Sequence, residues 1–459
     1  MKILKIIHGY PMRYNAGSEI YSQILCQKLA DKHIVNVFTR LDNPFAPDYS
    51  LHQEVDEKDS RVKLHLINLP LEKHRYQYQI PEVDQQFSKI IKIFQPDIVH
   101  IGHLHHLSIS IVNEIPQKTP IIYTLHDYWL MCPRGQFIQQ FPYNIGDAWA
   151  VCDKQENLKC ATHCYFGNFS GAAKNFSLES NYWGSWVQRR MEYIKTIRER
   201  IDYFIAPSKY LLNRYCTDFG VPREKLIYLD YGFELARLKG RCRTPNEPFT
   251  FGYIGTHIPA KGIQLLIKAF GKLKGKALLR IWGRSRGENT KALQSLAHEL
   301  PRDICERIEW LPEYDNQQIV RDVFNNVDVI VVPSIWMENS PLVIHEALQA
   351  RIPVITANAG GMSEYIHHNV NGLLFKHRDY ESLVAEMQVL LDHPEVATKL
   401  GAKGYLGSRS GDVIDINEHV LSVENIYEMA LSQHYLNNRN KRHEKTKWIL
   451  ENHVRHQPQ

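Results

Sequence analysis

The sequence predicts an α/β protein with two parallel sheets, each flanked by helices. Short β-type runs alternate with amphipathic segments along most of the 459 residues, and this alternation favours parallel strands joined by crossover helices. The length allows two domains with separate cores. The pattern is interrupted by one turn-rich, charged stretch, Arg241–Pro248, which is typical of a linker. We therefore predict two consecutive Rossmann-like domains that face each other across a ligand-binding cleft.

The first domain is predicted to span residues 1–240. Its strands are expected at Ile3–His8, Val35–Thr39, Ile98–Ile101, Ile121–Leu125 and Tyr203–Ala206. Its helices are expected at about Ser18–Lys32, Glu82–Phe94, Trp186–Arg200 and Lys209–Phe219. Residues 130–180 show little regular periodicity, so we predict an insertion there.

The second domain is predicted to span residues 249–410. Its strands are expected at Thr250–Ile254, Leu278–Trp282, Ile308–Leu311, Val329–Pro333 and Val354–Ala357, and the chain is expected to be helical again after Gly372–Phe375. Its helices are expected at Gly262–Lys274, Lys291–Leu300, Asn316–Asn325, Leu342–Ala350 and Tyr380–Leu391. A last helix within residues 411–432 is expected to pack back toward the first domain, and residues 433–459 are expected to be a loosely ordered basic tail.

The composition excludes several classes of protein. A formal net charge of +5 is small for this length, and no nucleic-acid-binding motif supports a nucleic-acid partner. No apolar run approaches the ~20 residues that span a bilayer. Lys5 interrupts a short apolar run at the N-terminus, which is atypical of a signal peptide. We expect a cytoplasmic protein, and a peripheral contact with the inner face of the membrane stays open.

The most informative motif runs from Glu338 to Glu346, between a buried-strand pattern and a helix. Ser340 can serve as the N-cap of that helix and Pro341 as its first residue, which leaves backbone N–H groups and the positive end of a dipole for a phosphate. Glu346 lies in a helix that is otherwise almost entirely apolar, where a carboxylate needs a hydrogen-bonding partner. Two carboxylates around a diphosphate site suit a nucleotide sugar. The alternative is a core helix with one acid at its start and one exposed acid.

Two other βα turns carry candidate phosphate-binding groups. Lys261 follows a strand and begins a helix, where its ammonium group could balance the charge of a departing diphosphate. Gly17 lies in a small-residue turn after the first strand and would allow close approach to a diphosphate. A solvated lysine and an ordinary βα turn are the alternatives. The paired glycines Gly360 and Gly361 allow either a close backbone approach or a plain tight turn.

His126 follows a buried strand of the first domain and precedes Asp127, so it is a candidate for a group at the cleft edge. The chain contains no Asp-x-Asp pair, which a transferase that holds diphosphate through a carboxylate-bound metal would usually show. We therefore expect no catalytic metal, with backbone N–H groups, the helix dipole and Lys261 meeting the phosphate charge.

Four cysteines fall close together in the predicted insertion: Cys132, Cys152, Cys160 and Cys164. Four thiolates suit tetrahedral zinc, and the spacing of the last two is within the usual range for neighbouring ligands. Because a loop-rich segment lacks a core of its own, a structural zinc could stabilise it. Free thiols are the alternative, and an iron–sulfur cluster could use the same ligands.

These motifs, in this order, resemble those of the retaining glycosyltransferases of family 4, which have the GT-B fold. The resemblance covers roughly residues 1–432. Three segments carry it: Pro333-Ser-Ile-Trp-Met-Glu-Asn-Ser-Pro-Leu-Val-Ile-His-Glu-Ala-Leu348, Ala359-Gly-Gly-Met-Ser-Glu364 and Ala206-Pro-Ser-Lys209.

The resemblance implies that the first domain, with its insertion, forms the acceptor side of the cleft and that the second domain forms the nucleotide-sugar donor side. It also implies roles for individual residues. Glu346 would hold the donor ribose, Glu338 would contact the transferred sugar, and Lys261 would bind the phosphates. The other implied positions are the backbone of Asn339, Ser340, Pro341 and Leu342 at the diphosphate, Gly17 in the first loop, and His126 near the donor sugar. The family usually has an arginine five positions before the lysine; here that position is Thr256, with His257 beside it.

The implied reaction is transfer of a sugar from a UDP- or GDP-sugar to a glycan or lipid-linked acceptor, with retention of anomeric configuration. The acceptor hydroxyl would attack from the face that the diphosphate leaves, and no protein nucleophile is required. Cell-surface polysaccharide or glycolipid synthesis is the expected setting. A nucleotide-sugar 2-epimerase of the same fold and a non-catalytic scaffold are the alternatives.

Overall fold

The computed structural model describes residues 1–11, 13–69, 76–139, 149–168, 175–243 and 248–454, with side chains described up to residue 436. Within these ranges the chain forms two parallel-sheet α/β domains, which confirms the predicted GT-B architecture. Residues 244–247 of the predicted linker and residues 140–148 and 169–174 of the predicted insertion lie outside the described residues.

The first sheet lies in the N-terminal domain. Its strands are β1 (Lys2–Ile6), β2 (Ile34–Leu41), β3 (Leu51–Val55), β4 (Lys63–Asn68), β5 (Ile98–Ile101), β6 (Ile121–Thr124), β7 (Tyr203–Ala206) and β8 (Leu226–Tyr228). They are arranged as β3-β4-β2-β1-β5-β6-β7-β8, and only the β3–β4 pair is antiparallel. The strands β3, β4 and β8 were not predicted. In β3 the side chains are half-buried or exposed, so it lacks the continuous apolar run that marks the central strands.

The second sheet has six parallel strands. They are β9 (Phe249–Ile254), β10 (Ala277–Trp282), β11 (Ile308–Leu311), β12 (Val329–Val332), β13 (Val354–Ala357) and β14 (Gly372–Phe375), in the order β11-β10-β9-β12-β13-β14. The first five were predicted, to within one residue at either end, and β14 was not assigned as a strand. The central strands β12 and β13 are buried at every position because helices cover both faces.

Helices flank both sheets. Those of the first domain are Gly17–Leu29, Pro81–Phe94, Asn157–Cys160, Phe176–Arg200 and Lys209–Thr217. Those of the second are Ile263–Phe270, Glu288–His298, Arg302–Cys305, Ile319–Asp322, Leu342–Gln349, Tyr380–Asp392 and Pro394–Gly401. The single helix predicted at Asn316–Asn325 is wrong: Ile319–Asp322 is one helical turn between two short 3₁₀ segments, Asn316–Gln318 and Phe324–Asn326.

The last helix, Ile416–Val454, is longer than predicted. The expectation of a loosely ordered tail from residue 433 is wrong for the backbone up to Val454. The sequence has no glycine or proline between Ile416 and Val454, and its Lys, Arg and Glu residues favour helix. Residues 455–459 lie outside the described residues.

This helix returns to the first domain through buried polar contacts. Tyr427 Oη lies 2.6 Å from His100 Nδ1, and the other ring nitrogen of His100 lies 2.7 Å from Thr124 Oγ1. Glu424 pairs with Lys32 at 3.0 Å and with His33 at 2.9 Å. The last helix therefore runs from the second domain onto the first.

One buried carboxylate, Asp230, links the connection between the domains to the second domain. Its Oδ2 lies 3.0 Å from His345 Nε2 and accepts a hydrogen bond from the Tyr405 hydroxyl at 3.0 Å. Its Oδ1 accepts from the Ser340 hydroxyl at 3.3 Å. The main-chain oxygen of Asp230 lies 2.9 Å from Nδ1 of His419 in the last helix. A single residue thus fixes the interdomain connection, the helix Leu342–Gln349 and the last helix relative to one another.

Near pH 6 the Asp230–His345 pair is ionised in the folded protein. Burial opposes the charge on His345, but Asp230 outweighs it and raises the pKa of His345 above its usual 6.5. Burial likewise tends to raise the pKa of Asp230, but the charge and hydrogen bond of His345 hold it below its usual 3.8. The contribution of His345 is fully present below pH 6.5 and is lost as the pH rises through its raised pKa. The contribution of Asp230 is present above pH 3.8 and is lost as the pH falls through its lowered pKa.

We predict that His345→Gln lowers the free energy of unfolding by about 3 kcal/mol near pH 6, because it leaves the buried Asp230 without its counter-charge. The wild type should lose stability from pH 6.5 upward, and the variant should lack this loss. Denaturant unfolding at several pH values checks the prediction, with the exposed His393→Gln as the matched control. Identical pH profiles for wild type and His345→Gln would contradict it.

Candidate functional site

Glu338 lies in the loop between β12 and the helix Leu342–Gln349, where only 5% of it is exposed. Lys261 Nζ donates to Glu338 Oε1 at 2.8 Å, and the Ser334 hydroxyl donates to the same oxygen. A buried carboxylate requires such partners. The Lys261 side chain is 30% exposed, so its ammonium group can reach solvent or a ligand while it is paired. The structure thus brings together two of the residues predicted for catalysis.

Glycines allow the Glu338 loop to pack tightly against the turn after β13. The N–H of Gly361 donates to the carbonyl of Glu338 at 2.7 Å. A Cβ atom at Gly361 would lie 1.4 Å from the carbonyl oxygen of Asn339, so no other residue fits. Gly262, at φ +74°, packs in the same way against the carbonyl of Pro333. The paired glycines therefore position the carboxylate loop by close backbone approach.

Glu346 is 4% exposed in the helix Leu342–Gln349. Its Oε1 accepts a hydrogen bond from Arg237 Nη2 at 2.5 Å, and both side chains are buried. The sequence analysis assigned the hydrogen-bonding partner of the Glu346 carboxylate to a ribose. In the structure Arg237 supplies a partner from within the protein. Arg237 lies in the short 3₁₀ helix Leu235–Leu238, 109 positions earlier in the chain, and no local pattern could have pointed to it.

The start of this helix differs from the prediction in one respect. Ser340 is not the N-cap: that position is Pro341, and the Ser340 hydroxyl binds Asp230 instead. No described side chain caps the helix. Because the first N–H groups of an uncapped helix lack acceptors, this terminus can still hold an anion. Leu342, its first residue, is half-buried.

Asn339 connects the two domains. Its Nδ2 donates to the carbonyls of Leu125 and His126 at 3.2 and 3.3 Å, and its Oδ1 accepts from Ser208 at 2.7 Å. Next to it, the Tyr128 hydroxyl donates to the carbonyl of Met337 at 2.6 Å. The loops that follow β6 and β12 therefore contact each other directly, and the Asn339 side chain is used in this contact.

His126 lies in this contact region. Its Nδ1 is 2.7 Å from the Tyr231 hydroxyl, and its Nε2 is buried without a hydrogen-bond partner among the described residues. Burial, together with the charge of Lys5, lowers the pKa of His126 well below its usual 6.5. The ring is therefore neutral at physiological pH, with one nitrogen free to bind a polar ligand group.

The other predicted donor-binding residues are spread around these groups. Gly17 begins the helix Gly17–Leu29 and faces Leu342: an added Cβ would lie 3.3 Å from Leu342 Cδ1. The Thr256 carbonyl accepts a hydrogen bond from Tyr253 at 3.4 Å. His257 Nδ1 lies 3.3 Å from Thr290, and its contacts are not with Lys261 or Glu338.

The four cysteines predicted to bind zinc lie in one region of the first domain, three of them are buried, and none of the described cysteines forms a disulfide. Burial and the neighbouring Cys132 and Cys164 raise the pKa of Cys160. Across the residues that the structure describes, no three His, Cys, Asp or Glu side chains are arranged to hold a metal ion. Structural zinc therefore stays a prediction from the sequence.

Two family models cover most of the chain. Residues 16–237 match "Glycosyltransferase Family 4", and residues 237–406 match "Glycosyl transferases group 1". The two matches meet at Arg237, the partner of Glu346.

Curated relatives and solved structures agree with these matches. A D-inositol 3-phosphate glycosyltransferase of Nocardia farcinica is 27% identical over 50% of this chain and 54% of its own length. An uncharacterised glycosyltransferase of Methanocaldococcus jannaschii is 25% identical over 40% of this chain and 48% of its own length. The matches thus span about half the length of these relatives.

Two solved structures show the same fold. Sucrose-phosphate synthase of Thermosynechococcus elongatus has a TM-score of 0.68 at 18% identity, over 94% of this chain and 99% of that one. Anabaena HepE, solved in complex with UDP-glucose, has a TM-score of 0.64 at 16% identity, over 94% of this chain and 100% of that one. With its fold and both family matches, the chain belongs to the family 4, group 1 glycosyltransferases of the GT-B fold.

Proposed function

We propose that the protein transfers a sugar from a nucleotide-diphosphate sugar to a glycan or lipid-linked acceptor, with retention of anomeric configuration. The observation that carries this proposal is the pair of buried carboxylates, Glu338 and Glu346, on either side of an uncapped helix start. A diphosphate at the helix start would have one carboxylate toward the sugar and the other toward the ribose. Lys261 stands beside the first carboxylate and can share its charge with the phosphates.

In the proposed reaction the acceptor hydroxyl attacks the anomeric carbon from the face that the diphosphate leaves. The bond from that carbon to the phosphate oxygen breaks, and a phosphate oxygen takes the proton of the hydroxyl. Lys261 and the helix N–H groups stabilise the charge that develops on the leaving diphosphate. Glu338 is a sugar-binding group in this scheme and not a nucleophile. The neutral His126 ring, with its free Nε2, can hydrogen-bond the transferred sugar.

The relatives support this substrate class. HepE was solved with UDP-glucose, and a mycobacterial relative is named as a GDP-mannose-dependent mannosyltransferase. Other relatives are named in colanic acid biosynthesis. We therefore infer a UDP- or GDP-sugar as donor, and cell-surface polysaccharide or glycolipid as the product.

No described helix is long and apolar enough to cross a membrane. A peripheral contact of the basic segment 433–459 with anionic lipid stays a proposal, based on its charge in the sequence. Liposome sedimentation of the full chain and of a chain ending at residue 435 tests it. Equal binding of the two would overturn it.

Incubation with a radiolabelled UDP- or GDP-sugar alone separates the proposal from its two alternatives. A transferase should release the nucleoside diphosphate slowly by hydrolysis and quickly when an acceptor is added. An epimerase would give a new nucleotide sugar without acceptor. No turnover with any donor and acceptor would favour a scaffold. The anomeric coupling constant of the product, measured by NMR, then tests retention.

We predict that Lys261→Met lowers kcat by ~10²–10³, as expected when one electrostatic contact to a leaving group is lost. The exposed Lys268→Met, in the adjoining helix, is the matched control and should retain wild-type turnover. Chelator should leave the wild-type rate unchanged, since no catalytic metal is proposed. Complete inhibition by chelator that magnesium reverses would contradict this prediction.

A separate measurement tests the prediction that the four cysteines bind zinc. If Cys132, Cys152, Cys160 and Cys164 hold structural zinc, elemental analysis of protein purified without a metal-affinity tag should find about one zinc per chain. Cys160→Ser should then lose the metal and lower the melting temperature, while the exposed Cys242→Ser should do neither. A metal-free, stable and active protein would leave the four residues as ordinary thiols.

A further inference from the structure

A cavity outside the donor site opens at the carboxyl edge of the first sheet. It holds about 420 Å³ of empty space, including its mouth, and is lined by loops that follow β4, β5 and β6 and by the helix Phe176–Arg200. One lining residue, Trp129, is three positions after His126. The cavity therefore lies beside the loop that contacts the Glu338 segment. We call it the aromatic pocket.

The aromatic pocket takes its name from five lining side chains: Tyr76, Tyr78, Trp129, Tyr165 and Trp186. Trp186 packs against Tyr165 with ring centroids 5.1 Å apart and against Tyr78 at 5.7 Å. The indole N–H of Trp186 donates to the carbonyl of Tyr76 at 3.0 Å. These contacts fix the orientation of the rings. Rigid aromatic faces suit the apolar face of a sugar ring, because they bury its C–H groups with little loss of entropy.

Arg190 brings a buried positive charge to this pocket. The residue is 1% exposed, and its guanidinium lies 4.5 Å from the centre of the Trp129 ring. Nη2 donates to the carbonyl of Trp129 at 2.8 Å, and Nη1 to the sulfur of Met191 at 3.3 Å. None of the carboxylates that the structure describes forms an ion pair with it. A buried guanidinium without a counter-charge is costly.

The other polar groups of the pocket do not supply that counter-charge. Arg134 is a second cation, and no aspartate or glutamate is among the described lining residues. His105 and His106 are stacked 3.7 Å apart. Burial lowers the pKa of both rings, together with His106 in the case of His105 and with Arg40 in the case of His106, whose pKa falls to about 3. Both rings are therefore neutral at physiological pH. The pocket thus combines aromatic walls with positive charge.

Cys132 and Cys160 lie close enough to Arg190 to influence its pKa. If these cysteines held zinc as thiolates, they would supply the negative charge instead, and elemental analysis would detect one bound zinc per chain. Among the carboxylates that the structure describes, Arg190 has no ion-pair partner. A buried guanidinium in this position therefore points to an anionic ligand.

We propose that the aromatic pocket binds a sugar ring of the acceptor and that Arg190 and Arg134 bind an acidic group on that ring, a carboxylate or a phosphate. An arginine fork matches both groups in shape and charge. The proposal rests on the proposed function only in calling this sugar the acceptor. It adds that the acceptor is acidic, which neither the family matches nor the donor site specifies.

Three small sugars test the proposal by titration calorimetry. Methyl β-glucuronide and methyl β-glucoside differ only in a carboxylate in place of a hydroxymethyl group, and glucose 6-phosphate carries the phosphate. We expect at least one acidic sugar to bind ~10-fold or more tightly than the neutral glucoside, the range for a charge-assisted hydrogen bond. The acidic sugar that binds more tightly identifies the acidic group. Equal affinity for all three would overturn the proposal.

Charge-removing variants locate the effect. Arg190→Gln and Arg134→Gln should each bring the ratio of the affinity for the acidic sugar to the affinity for methyl glucoside close to one. Neither variant should change the binding of methyl glucoside. Arg189→Gln, exposed on the same helix, is the matched control and should keep the preference. If Arg190→Gln fails to fold, as judged by its melting temperature, Arg134→Gln carries the test. A preference that survives in the folded variants would overturn the assignment, as would one bound zinc per chain with no acidic preference.

Nucleotide titrations keep this result separate from the proposed function. Binding of UDP or GDP should be the same in Arg134→Gln as in the wild type, because the pocket residues do not touch Glu346 or Lys261. Acidic-sugar preference without any nucleotide binding would support the pocket and contradict the glycosyltransferase proposal. Nucleotide binding without acidic-sugar preference would support the glycosyltransferase proposal and contradict the pocket proposal.

Discussion

The site depends on two buried carboxylates that the protein pairs with its own cations. Glu338 is held by Lys261 at 2.8 Å and Glu346 by Arg237 at 2.5 Å. Each carboxylate would otherwise be costly in an apolar setting. The pairs orient both carboxylates around the helix start before any ligand is bound. In this arrangement a donor has to share the cations with the carboxylates, and the half-exposed Lys261 can do so with little movement.

The same region also holds the two domains together. Asn339, next to Glu338, binds the main chain of the first domain, and Asp230 binds the helix that carries Glu346. Substituting Asn339 or Asp230 would therefore change both the site and the interdomain contact. Because the donor site is built on this contact, its geometry is coupled to the relative position of the domains. The aromatic pocket lies beside the adjoining loop of the first domain, where the proposed acidic acceptor would lie next to the site.

Features that depend on residues close together in the sequence could be predicted, and features that depend on distant residues could not. The strand β12, the carboxylates Glu338 and Glu346 and the lysine Lys261 follow from local patterns of burial, turns and helix starts. The roles of Arg237 and Asp230 could not be predicted, because their partners lie far away in the chain. For the same reason the sequence did not show that Arg190 is buried without an ion pair to a described carboxylate. Ser340 was placed wrongly as a cap, because a tertiary partner, Asp230, takes its hydroxyl. The helical turn Asn157–Cys160 and the π-helical segment Ala161–Tyr165 of the described insertion likewise carry no clear periodicity.

The central claim is that Glu346 binds the nucleotide of the donor, and calorimetric titration of UDP and GDP tests it most directly. Glu346→Gln keeps the size of the side chain but removes its charge. The account predicts that the variant stays folded and binds its preferred nucleotide about 1.5–3 kcal/mol more weakly, the loss expected for one charge-assisted hydrogen bond. The exposed Glu299→Gln should bind as the wild type does. Equal affinity of Glu346→Gln and the wild type for both nucleotides would contradict the account.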